Sequence, residues 1–173
     1  MSGILALPLI IAGTLHMAAV KRNLCPGLNR PLNERLFGRN KTVRGMILMP
    51  LFSVLGLFIT VSLKLNVHGF SVFHSAPVVP LGLALGISYV LSELPNSYLK
   101  RRLGIQPGKL PARNRLFFLV LDQADSAIGC VLVYACLIDV PIAALILCVA
   151  LGPAVHLVAN VSLYTLRLRE QPF

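Results

Sequence analysis

The sequence predicts an all-α integral membrane protein, a bundle of about five transmembrane helices with the N-terminus outside and the C-terminus cytoplasmic. Three observations carry this expectation. Apolar residues make up 56% of the 173 positions and charged residues 13%. The mean hydropathy is +0.78, in the range of chains that have lipid rather than water as their main solvent. Every Lys and Arg except Lys64 falls on one side of the predicted spans. A chain of this length is expected to form a single domain, residues 1–173.

The elements follow in order. Gly3 to Val20 is an apolar stretch of near-spanning length without a basic leader, and Lys21-Arg22 flank it as a stop-transfer signal, so it is read as a retained helix rather than a cleaved signal. The loop from Lys21 to Arg44 then gathers Lys21, Arg22, Arg30, Arg35, Arg39, Lys41 and Arg44. Met46 to Leu63 and Val78 to Leu94 are the second and third spans, separated by a loop whose one cation is Lys64. Lys100, Arg101, Arg102, Lys109, Arg113 and Arg115 precede the fourth span, Leu116 to Ile138. Asp139 marks a tight turn before the fifth, Pro141 to Tyr164, and Arg167 and Arg169 follow it. Short loops rich in Lys and Arg stay in the cytoplasm, which sets the orientation. Prolines 26, 31, 77, 80, 107, 111 and 141 are expected near helix ends. Cys25, Cys130, Cys136 and Cys148 lack metal-site spacing and are expected as buried small hydrophobes. There is no repeat or low-complexity tract.

Two acids stand inside the fourth span. On insertion scales a buried acid costs about 2.5–3.5 kcal/mol, which marks Asp122 and Asp125 as functional candidates. Three residues apart on a helix, they share a face. Together they suit one or two hard cations; Mg2+ prefers carboxylate oxygens and leaves positions for substrate phosphates. An Asp pair neutralised by arginines is the bland alternative. Gln123 is placed to support the site, and Glu93, beside Pro95, is either a metal ligand or an ion-pair partner.

Ser97, Lys100 and Arg101 fall at i, i+3 and i+4, and Arg102 extends the charge. Lys offers a compact charge and Arg a planar fork, a combination that suits the charge shifting to a leaving pyrophosphate. As charge alone the row says little, because any cytoplasmic loop is basic. Gly104 and Gly108 frame a loop whose backbone can approach phosphate. Asn40, Lys41 and Arg44 lie just before the second span, with Lys41 and Arg44 at i, i+3 if the helix has begun there. His156 and Asn160 are one turn apart in the last span, where helix–helix hydrogen bonding and substrate contact are equal readings. His16 is read as structural.

The blocks Phe37-Gly38-Arg39-Asn40-Lys41-Thr42-Val43-Arg44-Gly45, Asn96-Ser97-Tyr98-Leu99-Lys100-Arg101-Arg102-Leu103-Gly104-Ile105, Leu121-Asp122-Gln123-Ala124-Asp125 and Pro153-Ala154-Val155-His156 with Asn160 resemble the CDP-archaeol synthase family, a compact branch of the CDP-diacylglycerol synthase superfamily. The resemblance runs from about residue 30 to Tyr164 in the family's order. It implies a magnesium-dependent nucleotidyltransferase of phospholipid biosynthesis that moves CMP from CTP to a lipid phosphate. Carried over by position, Ser97, Lys100, Arg101 and Arg102 belong to the nucleotide-phosphate site, Asp122 and Asp125 to the metal site, and Asn40, Lys41 and Arg44 to a block near it.

Two departures bear on the lipid rather than on the reaction. Ser92-Glu93 stands where archaeal members usually have Gly-Asp, and the stretch from Lys109 to Phe118 is longer and more basic than usual. The lipid is accordingly expected to be an archaeol-type ether lipid phosphate or a relative, with phosphatidate as the alternative. The expected partners are CTP, the lipid phosphate and the bilayer, with no nucleic acid, and a homodimer is left open. The expected location is the cytoplasmic membrane with the site facing the cytoplasm. A CDP-alcohol phosphotransferase is set aside because its Asp-Gly-x-x-Ala-Arg signature is missing. A non-catalytic holder of anionic lipids explains the basic loops but leaves the two acids without a purpose.

Overall fold

The computed structural model describes residues 2–63, 73, 76–111, 113–165 and 167, without the side chains of residues 2, 3, 156 and 163. The helices are α1 Ser2–Lys21, α2 Glu34–Phe37, α3 Val43–Ser62, α4 Val78–Arg102, α5 Arg115–Leu137 and α6 Ile142–Thr165. All but the short α2 are long and apolar enough to cross a membrane. The predicted spans coincide with these five helices, with one informative difference in α4. That helix runs on through Pro95 to Arg102, so Glu93, Asn96 and Lys100 stand on one continuous helix. A proline costs the ladder one donor, but within a packed apolar bundle neighbouring helices hold the segment helical.

Each long helix packs on the next in the chain, and α6 returns to α1, closing a ring in the order α1, α3, α4, α5, α6. Prolines and glycines set the closest approaches. Pro8 of α1 and Pro50 of α3 are buried, and each lies against a glycine of the following long helix. A Cβ on Gly56 would collide with the Pro8 carbonyl, and one on Gly86 with the Pro50 backbone. Such small-residue contacts let the backbones approach closely and supply van der Waals packing. These prolines therefore sit inside helices and serve packing, whereas the ones at helix ends serve as punctuation. At the end of the ring away from the basic loops, Tyr134 donates to the Leu5 carbonyl at 2.8 Å, tying α5 to α1.

The segment between α1 and α3 is folded rather than open. Leu32 N–H donates to the Lys41 carbonyl at 2.8 Å and Val43 N–H to that of Arg30 at 2.9 Å, around an antiparallel bridge of Pro31 with Thr42. Within that closed loop Asn33 caps α2 by accepting from Leu36 N–H at 3.0 Å, and α2 packs on α4. Thr42 caps α3. Lys41 is therefore outside the helix, and its expected i, i+3 register with Arg44 does not form. The four cysteines are free. Only Cys130 is fully buried; Cys25 and Cys136 are exposed, contrary to the expectation of small buried apolar residues.

Candidate active site

The fourth-span acids meet α4 through Asn96. Its Nδ2 donates to Asp122 Oδ1 at 2.6 Å and to Asp125 Oδ2 at 3.0 Å. One amide thus bridges two carboxylates. Asp125 also accepts from the Ser126 N–H at 2.6 Å through Oδ1. Lys100, one turn beyond Asn96, lays its ammonium on both oxygens of Asp122 and stands 5.9 Å from the centre of the Phe118 ring. Asn96, Lys100 and Asp125 are buried, and the Asp122 side chain keeps 30% of its surface exposed.

Charge does not balance within this cluster. With both acids ionised, two carboxylates face one ammonium, and an unpaired buried charge is costly. Asn96 Oδ1 is buried with no hydrogen-bond partner, an orphan of the kind that natural structures seldom leave. The two carboxylates offer oxygen donors that fit a hard divalent cation keeping water or phosphate in its remaining positions, and a flip of the Asn96 amide, now turned with its nitrogen to them, would add the spare oxygen. Asn96 had no assigned role in the sequence. Its i, i+4 spacing from Lys100 was the available signal, and only the facing of α4 on α5 gives that spacing meaning.

Glu93 forms an ion pair with Lys41, each about three-quarters shielded from solvent, and is near enough to act electrostatically on Asp125. Among the described residues no group of three His, Cys, Asp or Glu side chains forms a metal-type cluster. The structure therefore does not bring Glu93, Asp122 and Asp125 together as three ligands.

The basic row on α4 divides. Lys100 turns inward to Asp122. Arg101 lies beside Gly38 and Pro107 with Nε and Nη1 buried and unpartnered. Arg102 is exposed and donates from Nε to the Tyr98 hydroxyl at 2.7 Å. Ser97 is half-buried. Gly104 ends α4: at φ 72° it lets Ile105 N–H reach the Lys100 carbonyl at 2.9 Å and its own N–H reach that of Arg101 at 3.1 Å, the Schellman pattern that glycine favours.

A cavity of 1190 Å3 occupies the middle of the ring. Arg39, Lys41, Arg44 and Lys109 are among the residues at its loop end, while Leu5, Leu9, Met49 and Tyr134 line its depth. Arg44 is buried and anchors the end of α1, donating from Nη1 to Asn23 Oδ1 at 3.1 Å and to the Leu24 carbonyl at 3.3 Å. Asn40 approaches Gly108. Asn160 lines the cavity and donates to Gln123 Oε1 at 3.3 Å, joining α6 to α5. The His156 side chain lies outside the described residues.

Fold and site define a protein of five long apolar helices with a carboxylate–amide–lysine cluster between α4 and α5 and a separate cavity whose loop end is basic and whose lining reaches Glu93 but not Asn96, Lys100, Asp122 or Asp125. A family model described as CarS-like, CDP-archaeol synthase, matches residues 26–173, and the chain belongs to that family. It is 33% identical over 148 residues to a CDP-archaeol synthase of Thermofilum pendens, an alignment covering 85% of this chain and 64% of that relative, less than two thirds of its length. It is 30% identical to a CDP-archaeol synthase of Aeropyrum pernix, covering 98% of this chain and 90% of the relative. A Methanocaldococcus jannaschii CDP-archaeol synthase is 29% identical over 79% of this chain and 75% of its own. No solved structure matches the chain.

Proposed function

We propose that the protein is an integral membrane cytidylyltransferase that moves CMP from CTP to a lipid phosphate, forming a CDP-lipid and pyrophosphate. The observation that carries this reading is the convergence of Asp122 and Asp125 on Asn96, with Lys100 laid on Asp122. Family membership and the cation-lined mouth of an otherwise apolar cavity support it. The preferred lipid is an archaeol-type ether lipid phosphate, after the printed name of the relatives.

A lipid phosphate oxygen attacks the α-phosphorus of CTP. The new P–O bond forms as the bond from the α-phosphorus to the α,β-bridging oxygen breaks, and pyrophosphate takes the electron pair. A phosphate at neutral pH is already a nucleophile, so no side chain need remove a proton. Catalysis then rests on positioning and on charge placed where charge develops. Asp122, Asp125 and the free oxygen of Asn96 would hold Mg2+, which supplies positive charge against phosphate oxygens when bound. Lys100 has three donors and a partner it can share with substrate. Arg101, with two unpartnered nitrogens, offers a fork for the departing pyrophosphate. On α4, Arg102 follows Arg101 directly and Ser97 lies one turn before it, and Asn40 and Lys41 bring the α2 loop to the mouth. Glu93 holds Lys41 there.

The orientation proposed places the basic loops and this site on the cytoplasmic side of the plasma membrane. In a Cys136→Ser protein, which lacks the exposed thiol at the other end of α5, Cys25, exposed in the first basic loop, should then escape a membrane-impermeant thiol reagent in intact cells and react after permeabilisation; labelling of Cys25 in intact cells reverses the orientation. The activity is tested with purified protein, CTP, Mg2+ and a panel holding an unsaturated ether lipid phosphate and phosphatidate. CDP-lipid from the ether lipid is expected, preference for phosphatidate would reassign the substrate, and no product from any member would overturn the reading.

A further inference from the structure

His16 takes no part in the reading above, and it stands on α1, outside the segment that the family model matches. It lies five residues before the helix ends at Lys21, about 7.5 Å along the axis. The ring lines the central cavity. Its Nε2 is buried and without a partner among the described residues, while Glu93, Arg44 and Lys41 are near enough to act on it electrostatically. Gly45 packs beside it, since a Cβ there would stand in ordinary contact at 3.7 Å from Nε2. A buried ring nitrogen left unpaired is costly. Glu93 acts on it more strongly than either cation, but Glu93 is paired with Lys41, so with Arg44 the three charges sum to one positive and favour an anionic acceptor over a neutral one.

The wall around His16 narrows the chemistry of that acceptor. Towards the far end of the bundle α1 turns Gly13, Leu9 and Leu5 to the same cavity. A ligand lying along this column needs an apolar body below and a phosphate at the level of His16. A nucleotide lacks the apolar body; a lipid phosphate has both parts.

We propose that His16 binds the lipid substrate, donating from Nε2 to an oxygen of its phosphate inside the helix ring. This rests on the cytidylyltransferase reading. The hydrogen bond fixes the nucleophile's depth, so that the phosphate stands beside the Lys41 and Arg44 end of the cavity while the chains occupy the apolar part.

The test uses the full chain in detergent, titrated with an ether-linked dialkylglycerol phosphate in the absence of CTP. His16→Ala should weaken binding about tenfold, the loss of one hydrogen bond to a charged group. His16→Gln, which keeps a donor, should recover part of it. Binding of CTP and of the dialkylglycerol lacking phosphate should stay at the wild-type level, which separates lost recognition from a damaged fold. In turnover, KM for the lipid phosphate should rise with KM for CTP unchanged. Unaltered lipid-phosphate affinity in His16→Ala, or equal losses for the lipid phosphate and CTP, would overturn the assignment. A wild-type protein that binds the lipid phosphate through His16 yet makes no CDP-lipid would fault the proposed activity and leave this assignment standing.

Discussion

Two carboxylate sites lie near the basic end of the bundle, and they are built differently. Glu93 meets Lys41, one acid with one ammonium, both partly shielded. Asp122 and Asp125 share one lysine and one amide, and the amide oxygen beside them has no partner. The first site is balanced as it stands. The second, with both acids ionised, carries a surplus of negative charge beside an unpartnered amide oxygen, and on that difference the proposed cation site rests. Burial alone does not reveal a ligand site; the bookkeeping of charges and lone pairs within each cluster does.

Four variants would break or sharpen this contrast. The largest effect is expected for Asp125→Asn, which removes a buried charge from the surplus site. CMP transfer should fall at least about a hundredfold with the protein still inserted, as read by radiolabelled CTP turnover on membranes. Next is Lys100→Met, which should lower kcat by about tenfold to a hundredfold. Because Lys100 lies where a cation would also be drawn, the same variant should need less Mg2+ for half-maximal rate.

Glu93→Gln should cost less, within about tenfold, and leave the Mg2+ dependence in place, since Lys41 loses a partner rather than a metal losing a ligand. A Glu93→Gln protein as inactive as Asp125→Asn, or one with a shifted Mg2+ requirement, would join the two sites into one and dissolve the comparison. The smallest effect belongs to Asn160→Leu. Cutting its hydrogen bond to Gln123 should lower stability by about 0.6 kcal/mol, measured by thermal unfolding in detergent, with turnover within a few-fold of the parent.

Much of this was readable along the chain. Five stretches of apolar residues became five long helices because burying backbone donors and acceptors in an apolar solvent leaves the helix as the available form. Asp122 and Asp125 stood out for the same reason, as charges in an unfavourable place. Lys41 with Arg44 was a misleading pairing: Thr42 caps α3 between them, so Lys41 faces Glu93 and Arg44 turns to Asn23 and Leu24. Ser97, Lys100 and Arg101 were read as one clamp, and the structure divides it, with Lys100 inward and Arg101 against Pro107. Positions on a helix say which residues share a face, but the neighbouring elements decide which face is used.

By itself, the sequence determined the number of long helices, the end of the bundle that holds the cations, and the presence of two acids at an unfavourable depth, because hydrophobic length and charge spacing are properties of the chain in one dimension. Only the tertiary structure decided that Asn96 bridges those acids, that Glu93 belongs to Lys41, and that α6 returns to α1 around an open lumen with His16 in its wall. The first two join residues 26 and 52 positions apart, and the third brings the last long helix back to the first. They depend on how closely helices approach, which here is set by prolines seated on the glycines of their neighbours.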